Sequence, residues 1–293
     1  MYRMSSNKNS EEFRMVKTNS FRGFKTRYVG PSGNRALEFY LEPGYSIITL
    51  PGSLLYMRGN VEKGTIKVNS SSFFRLFTGE TFTLVSYKGM DVPTNKEESQ
   101  TTSERIKGSE KGGHISLGLP FPGDIICIEV KKDSKIKFLK NSFLACTSNL
   151  DISGKFDYKQ LIPVGTDFEP FLGHVSHKKD STETGYVWLS TYGVFEKIHL
   201  KKGDEIIVDN GMFLACDESY SYKVARLGRS MFGGIVSGEG WGVQFSCKND
   251  EGMTIYCQTK SINDLILLLR VATAHGGGSK KIKRTKKKKS TKK

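Results

Sequence analysis

The feature that most constrains this 293-residue chain is a short apolar signature that returns along it. Gly44 opens a segment whose apolar residues end at Met57, and Gly203 opens a similar segment that ends at Cys216. In both segments a second glycine follows the first after eight residues, and the last apolar residue follows it after thirteen. Such agreement without a gap predicts two copies of one structural unit.

A third copy is predicted at Gly123, where residues 125–128 form the first apolar run and residues 143–146 form the second, after ten additional residues. Gly44, Gly123 and Gly203 are then 79 and 80 residues apart. A turn glycine, an apolar strand, a polar reversal and a second apolar strand are typical of a β-hairpin. Because one hairpin cannot bury its apolar face alone, three predict an all-β fold: a pseudo-threefold β-sandwich or prism, similar to a double-stranded β-helix.

Further strands are predicted at residues 186–191, 195–200 and 254–259, which are rich in β-branched and aromatic residues. The phrase Thr-Gly-Glu at 78–80 precedes a strand-like run, as Ser-Gly-Glu does at 237–239. The apolar run near residues 264–273 is shorter than the roughly 18 residues that cross a bilayer, and it predicts a short C-terminal helix.

The polar stretches define the predicted domain boundaries. Residues 1–26 are predicted to be a poorly ordered N-terminal segment, and residues 27–272 a triplicated β-domain with a surface insertion at 88–113. Residues 273–293 read as a flexible Gly/Ser linker and a disordered Lys-rich tail.

The net charge of +15 belongs mostly to that tail. Residues 280–293 hold nine Lys and one Arg and no acidic residue, which leaves about +5 on the rest of the chain. The tail could bind nucleic acid, anionic lipid or an acidic protein, or have no specific partner. The predicted polyanion contacts are Lys280, Lys281, Lys283, Arg284, Lys286, Lys287, Lys288 and Lys289.

Two apolar clusters beside glycine-rich turns could pack in the core or form an exposed tip suited to self-association or membrane contact. Their residues are Phe73, Phe74, Phe77, Met231 and Phe232. The five cysteines lie in apolar runs without a CxxC pair, which indicates buried thiols and a reducing compartment.

The chain shows no pattern that predicts catalysis. The glycine-rich run 233–240 lacks GxxxxGK[ST] and leads into a strand, which favours a tight turn over a phosphate loop. On a strand, His174 and His177 would lie on opposite faces and could not bind one metal ion, although in a loop they could converge on one. We favour a polar loop without a metal. The sequence therefore predicts no enzyme, no cofactor and no metal.

An ordered set of phrases resembles the altered-inheritance-of-mitochondria protein twenty-four family over roughly residues 28–270. The phrases are Leu41-Glu42-Pro43-Gly44, Leu55-Tyr56-Met57, Gly79-Glu80, Leu119-Pro120-Phe121-Pro122-Gly123-Asp124, Phe143-Leu144-Ala145, Phe213-Leu214-Ala215, Ser230-Met231-Phe232-Gly233-Gly234, Ser237-Gly238-Glu239-Gly240 and Gln258-Thr259-Lys260-Ser261. The resemblance implies a triplicated β-fold related to the tryptophan RNA-binding attenuation protein, assembled as a homo-oligomer. It also implies a role in mitochondrial membrane organisation or respiratory-complex assembly, and no catalytic residues.

Two functions are thus expected, and a third, a small-molecule or metal binder that uses the interior of the β-body, has only faint support from His174 and His177. The first is a non-enzymatic scaffold or assembly protein that meets a protein or an anionic membrane surface. The alternative is a nucleic-acid-associated protein that binds through its Lys-rich tail. The chain is expected inside the cell, with the mitochondrion implied by the resemblance and the cytoplasm as the alternative.

Overall fold

The computed structural model describes residues 18–67, 83–92, 104–156, 171–179, 181–217, 222–226 and 241–261, together with Leu265 and Leu269. These residues form 21 β-strands and two 3-10 helices of three residues each, and the strands pair in antiparallel ladders. The predicted all-β fold is therefore confirmed for the described part of the chain. In the same residues, no helix has the length and apolar character to span a membrane.

The fold begins with a hairpin near the N-terminus. Its strands are β1 (Thr18–Phe21) and β2 (Phe24–Val29), and β2 pairs in turn with β3 (Ala36–Leu41). Phe21 and Phe24 pack against the buried indole of Trp188, with ring centroids 6.2 and 5.9 Å away. Residues 18–26, predicted to be poorly ordered, therefore belong to the sheet.

Three consecutive sets of strands follow, which we name unit 1, unit 2 and unit 3. Unit 1 contains β3, β4 (Ser46–Thr49), β5 (Leu54–Gly59), β6 (Val61–Lys67), β7 (Thr83–Gly89), β8 (Glu104–Ile106) and β9 (Gly113–Leu117). Unit 2 contains β10 (Ile125–Val130), β11 (Lys135–Leu139), β12 (Phe143–Thr147), β13 (Leu150–Phe156), β14 (Phe171–His177) and β15 (Gly185–Ser190). Unit 3 contains β16 (Phe195–Leu200), β17 (Glu205–Asp209), β18 (Phe213–Asp217), β19 (Tyr222–Arg226), β20 (Trp241–Ser246) and β21 (Met253–Gln258). The strands predicted near 186–191, 195–200 and 254–259 are β15, β16 and β21.

Each unit divides its strands between two sheets in the same order. The half-sheets are β3-β9-β5 and β4-β7-β6 in unit 1, β10-β15-β12 and β11-β14-β13 in unit 2, and β16-β21-β18 and β17-β20-β19 in unit 3. In unit 1, for example, Phe39 and Ile115 of one half-sheet share an apolar core with Ile47 and Tyr87 of the other. Each unit is therefore a small sandwich.

Neighbouring units are joined edge to edge by strand pairing. β4 pairs with β12, and β11 pairs with β18, so two sheets continue from one unit into the next. The result is four sheets of five, seven, six and three strands in the described residues.

The predicted hairpin pairing is wrong. Within the described residues β4 does not pair with β5, nor β17 with β18; each pair is split between two sheets. β10 and β12 share a sheet, but β15 lies between them. A corner carries the chain across the core after β4, β11 and β17, so the apolar runs face each other across the core instead of lying side by side.

Three segments of the chain have the same order of elements. Segments 42–57, 131–146 and 201–216 each hold a turn, a strand, a corner and a second strand without a gap. The second strand has a ladder irregularity after its first residue in all three, at Leu54, Phe143 and Phe213. Asp133 lies at the turn position that Gly44 and Gly203 occupy in the other two segments, whereas the predicted turn residue Gly123 precedes β10.

The ends of the predicted insertion at 88–113 are part of the fold. The Gly89 amide donates to the Tyr45 carbonyl at 2.9 Å, and the Gly112 amide donates to the Met90 carbonyl at 2.8 Å. Residues 93–103 lie outside the described residues, as does the predicted C-terminal helix at 264–273 apart from Leu265 and Leu269.

Candidate functional site

The outer side of the five-stranded sheet carries a polar surface, which we name the polar face. Side chains alternate between the two sides of a strand, so residues two apart on β2, β3, β5 and β9 share this side. Its residues are Lys25, Arg27, Glu38, Tyr40, Tyr56, Arg58 and His114. Strand register brings them into rows: Arg27 lies opposite Glu38, and Arg58 lies opposite His114.

Glu38 is the centre of the polar face, and its side chain is only 4% exposed. It accepts hydrogen bonds from the Arg27 guanidinium, with Nε at 2.7 Å, and from the Tyr56 hydroxyl at 3.1 Å. His114 Nδ1 lies 3.1 Å away and Arg58 Nη2 3.6 Å away. A buried carboxylate is stable only with such partners, and here one carboxylate serves two guanidinium groups.

The surroundings set the protonation of both titratable groups at this centre. Burial would raise the pKa of Glu38, but the hydrogen bonds from Arg27 and Tyr56 and the Arg27 charge outweigh it, so the pKa is lowered. Burial and the Arg58 charge lower the pKa of His114, although Glu38 opposes them. At neutral pH we therefore expect an ionised Glu38 beside a neutral His114.

An open pocket of about 370 Å³ lies on the polar face. Lys25 and Arg58 are exposed beside it, and Arg27 is half-buried. Three cations and one buried carboxylate leave an excess of two positive charges here. Guanidinium groups bind carboxylate and phosphate oxygens in paired hydrogen bonds, so the pocket fits a small anionic group.

A second buried carboxylate, that of Asp124, has a structural role. It accepts hydrogen bonds from the Arg35 guanidinium at 2.8 Å and from the Ser32 hydroxyl at 2.7 Å. Its backbone amide donates to Thr191 Oγ1 at 3.0 Å. Asp124 thereby ties together the chain segments that lead into β3, β10 and β16.

Most residues predicted from the sequence as contact sites lie outside the described residues. They are the apolar-tip residues Phe73, Phe74, Phe77, Met231 and Phe232, the glycine-rich run 233–240, and the tail cations from Lys280 to Lys289. The described residues show other exposed apolar side chains, including Leu55, Phe121 and Ile207.

His174 and His177 both lie on strand β14, so the polar loop predicted for them is wrong. His174 is buried, and Nε2 of the half-buried His177 lies 2.6 Å from the Val130 carbonyl oxygen. In the part of the chain that the structure describes, no three His, Cys, Asp or Glu side chains come together as a metal site requires.

The polar face was missed because its residues are separated in sequence and meet only through strand register. The available signal was the alternation of Lys25 and Arg27 with buried Phe24, Thr26 and Tyr28 on β2, which marks one charged side of a strand. Nothing in the sequence showed that Arg58 and His114 would join them.

The paired half-sheets and the polar face define a class: an all-β protein of small sandwiches joined edge to edge, with a basic patch on its first sheet. The family model described as mitochondrial biogenesis AIM24 matches residues 27–260. The chain belongs to this family, as the sequence resemblance predicted.

The structural comparison concerns the fold alone. A Streptococcus pyogenes protein of known crystal structure is similar to this chain with a TM-score of 0.58 and 18% identity. The match covers 85% of this chain and 99% of that one. No curated protein matches the sequence.

Proposed function

We propose that this protein is a non-enzymatic assembly protein of mitochondrial biogenesis whose β-body docks on an anionic partner through the polar face. The family match supports the biological process. The single observation that carries the docking role is the cation excess around the buried Glu38, held on paired strands.

The polar face suits docking because its cations are positioned before a partner arrives. Arg27 is oriented by its bond to Glu38, so it loses less side-chain freedom on binding than an unrestrained cation. Lys25 and Arg58 remain exposed for contact. The partner class is an acidic protein segment or an anionic membrane surface, since both present carboxylate or phosphate oxygens.

The proposal also concerns the internal symmetry of the β-body. The recurring strand order of units 1 to 3 and their shared irregularity after the corner support a triplicated, pseudo-threefold arrangement. A platform of three similar sandwiches presents several edges at once, which suits a protein that assembles with copies of itself and with a partner. We place it in the mitochondrion on the strength of the family.

A pull-down from native cells distinguishes a partner that binds the polar face from one that binds the Lys-rich tail. The baits are the full chain, the 1–278 truncation, and Lys25→Glu/Arg58→Glu in both lengths. The matched control is Lys131→Glu/Lys132→Glu, which makes the same charge change on exposed residues of unit 2.

We expect the same partner with the full chain, the truncation and the control, and at least tenfold less with the polar-face variant. Loss of the partner on truncation alone would overturn the proposal and favour nucleic-acid or other polyanion binding through the tail.

A further inference from the structure

The two joints between units use the same register. Thr49 of β4 lies opposite Ala145 of β12, and Phe138 of β11 lies opposite Ala215 of β18. These positions correspond in the ungapped segments 42–57, 131–146 and 201–216. The first strand after the turn in one unit thus pairs with the strand after the corner in the next.

A third joint of this kind would need β17, the first strand after the turn in unit 3, and β5, the strand after the corner of unit 1. In the described part of the chain these strands do not pair: β17 is bonded only to β20, and β5 only to β9. Both therefore present an open edge. The register of the two formed joints places Tyr56 opposite Val208, Met57 opposite Ile207, and Arg58 opposite Ile206.

Several apolar side chains on the two open edges are much more exposed than the corresponding side chains on the paired strands. Leu55 is 60% exposed, whereas its counterparts Leu144 and Leu214 are 1% and 0% exposed. Tyr56 is 43% exposed, although the corresponding Ala145 and Ala215 are fully buried. On the other edge Ile207 is 47% exposed and its counterpart Ile48 is 5% exposed. Apolar side chains at an unpaired edge mark a contact surface.

We propose that β5 of one copy pairs with β17 of a second copy in this register. The edges are complementary in charge, because β5 carries Arg58 and β17 carries exposed Glu205 and Asp209. The inference deepens the proposed assembly role by naming the surface through which copies meet.

A second copy is the occupant because the two edges do not pair within the described part of one chain, although their exposed apolar side chains and their charges are complementary. The contact is heterologous, so each copy still offers one open edge, and assembly continues until a ring closes or a filament grows.

The test uses two differently tagged copies, one with Met57→Cys and the other with Ile207→Cys, co-expressed and mildly oxidised. Residues directly opposite in adjacent strands place their Cβ atoms within about 5.5 Å, close enough for a disulfide after a small adjustment. A second pair, Arg58→Cys with Ile206→Cys, tests the same register in case the geometry at the first pair prevents a disulfide. The control pairs Met57→Cys with Lys223→Cys, which lies on the other edge of the three-stranded sheet.

We expect a mixed-tag disulfide dimer with a 57–207 or 58–206 linkage by peptide mapping, and none with the control. If the double variant Met57→Cys/Ile207→Cys instead links within one chain, the joint closes intramolecularly and the proposal is overturned. Absence of either linkage in all pairs also overturns it. The 57–207 linkage is read without the anionic partner and without changing Arg58, so its absence overturns the joint and leaves in place the docking proposal that the pull-down tests.

Discussion

Thr49 and Ala145 face each other where unit 1 meets unit 2, and Phe138 and Ala215 repeat that relationship where unit 2 meets unit 3. The same register, applied to the open edges of β5 and β17, predicts which residues of two copies lie opposite each other. Ile207→Lys should abolish assembly without unfolding the chain, because the side chain is exposed in the single chain. Light scattering after gel filtration checks this. An unchanged molar mass would contradict the joint.

Glu38→Gln should destabilise the β-body by about 1–3 kcal/mol, because it weakens charge-assisted hydrogen bonds at a buried site. Urea unfolding measures the change. Glu129→Gln is the control, since Glu129 is exposed and should shift the midpoint very little. Equal stability of the two variants would show that the Arg27–Glu38 pair does not organise the polar face.

Stability should fall as the pH is lowered from about 6.5. Burial and the Arg58 charge hold the folded pKa of His114 below the ordinary histidine value of about 6.5, so the unfolded chain takes up the proton first and is favoured by acid. Glu38 also has a lowered folded pKa, so its contribution is present above its unfolded pKa and is lost at lower pH. His114→Gln should flatten melting temperature against pH near 6, while leaving the loss at lower pH. A curve unchanged by the substitution would contradict this assignment.

Gly123→Ala should be destabilising by about 1–3 kcal/mol through overpacking. A Cβ at this position would overlap the Thr191 carbonyl oxygen, which is backbone and cannot move aside cheaply. Chemical denaturation measures the effect, with the exposed Thr182→Ala as control. A neutral Gly123→Ala would mean that the segments tied by Asp124 can separate without loss.

The five cysteines should react slowly in the folded chain. Four are buried, and burial raises the pKa of Cys127 to about 12 and of Cys257 to about 11. Few thiolates form at pH 8, so a chromogenic disulfide reagent should label all five only after denaturation. Rapid labelling of the native chain would show that a thiol is more accessible than the structure indicates.

The sequence predicted the fold class because apolar and β-branched runs such as Ile125–Val130 are local signals of strands. The sequence-based prediction assigned the wrong strand partners because the corner after Thr49 has the sequence pattern of a hairpin turn. In a corner and in a hairpin turn alike, a glycine or proline lies between two apolar runs. Only the strand partners distinguish a turn within a sheet from a crossing between sheets. Asp133 lies where the other two segments have a glycine, so segment 131–146 lacks the glycine signature on which the prediction was based.

The polar face could not be predicted for a related reason. Lys25, Glu38, Arg58 and His114 come from four strands, and the order of strands in the sheet is β2-β3-β9-β5. Placing β9 between β3 and β5 requires knowledge of pairing across about 60 residues of chain, which no local pattern carries.

The most direct test of the central claim is a nuclear magnetic resonance titration of the 1–278 chain with tripolyphosphate. Removing the tail removes its own anion binding. The account predicts saturable shifts at His114 and at the side chains of Arg27 and Arg58, and it predicts that Lys25→Glu/Arg58→Glu abolishes the shifts at His114 and Arg27. Shifts confined to other surfaces, or none at all, would contradict the claim that the polar face binds anionic groups.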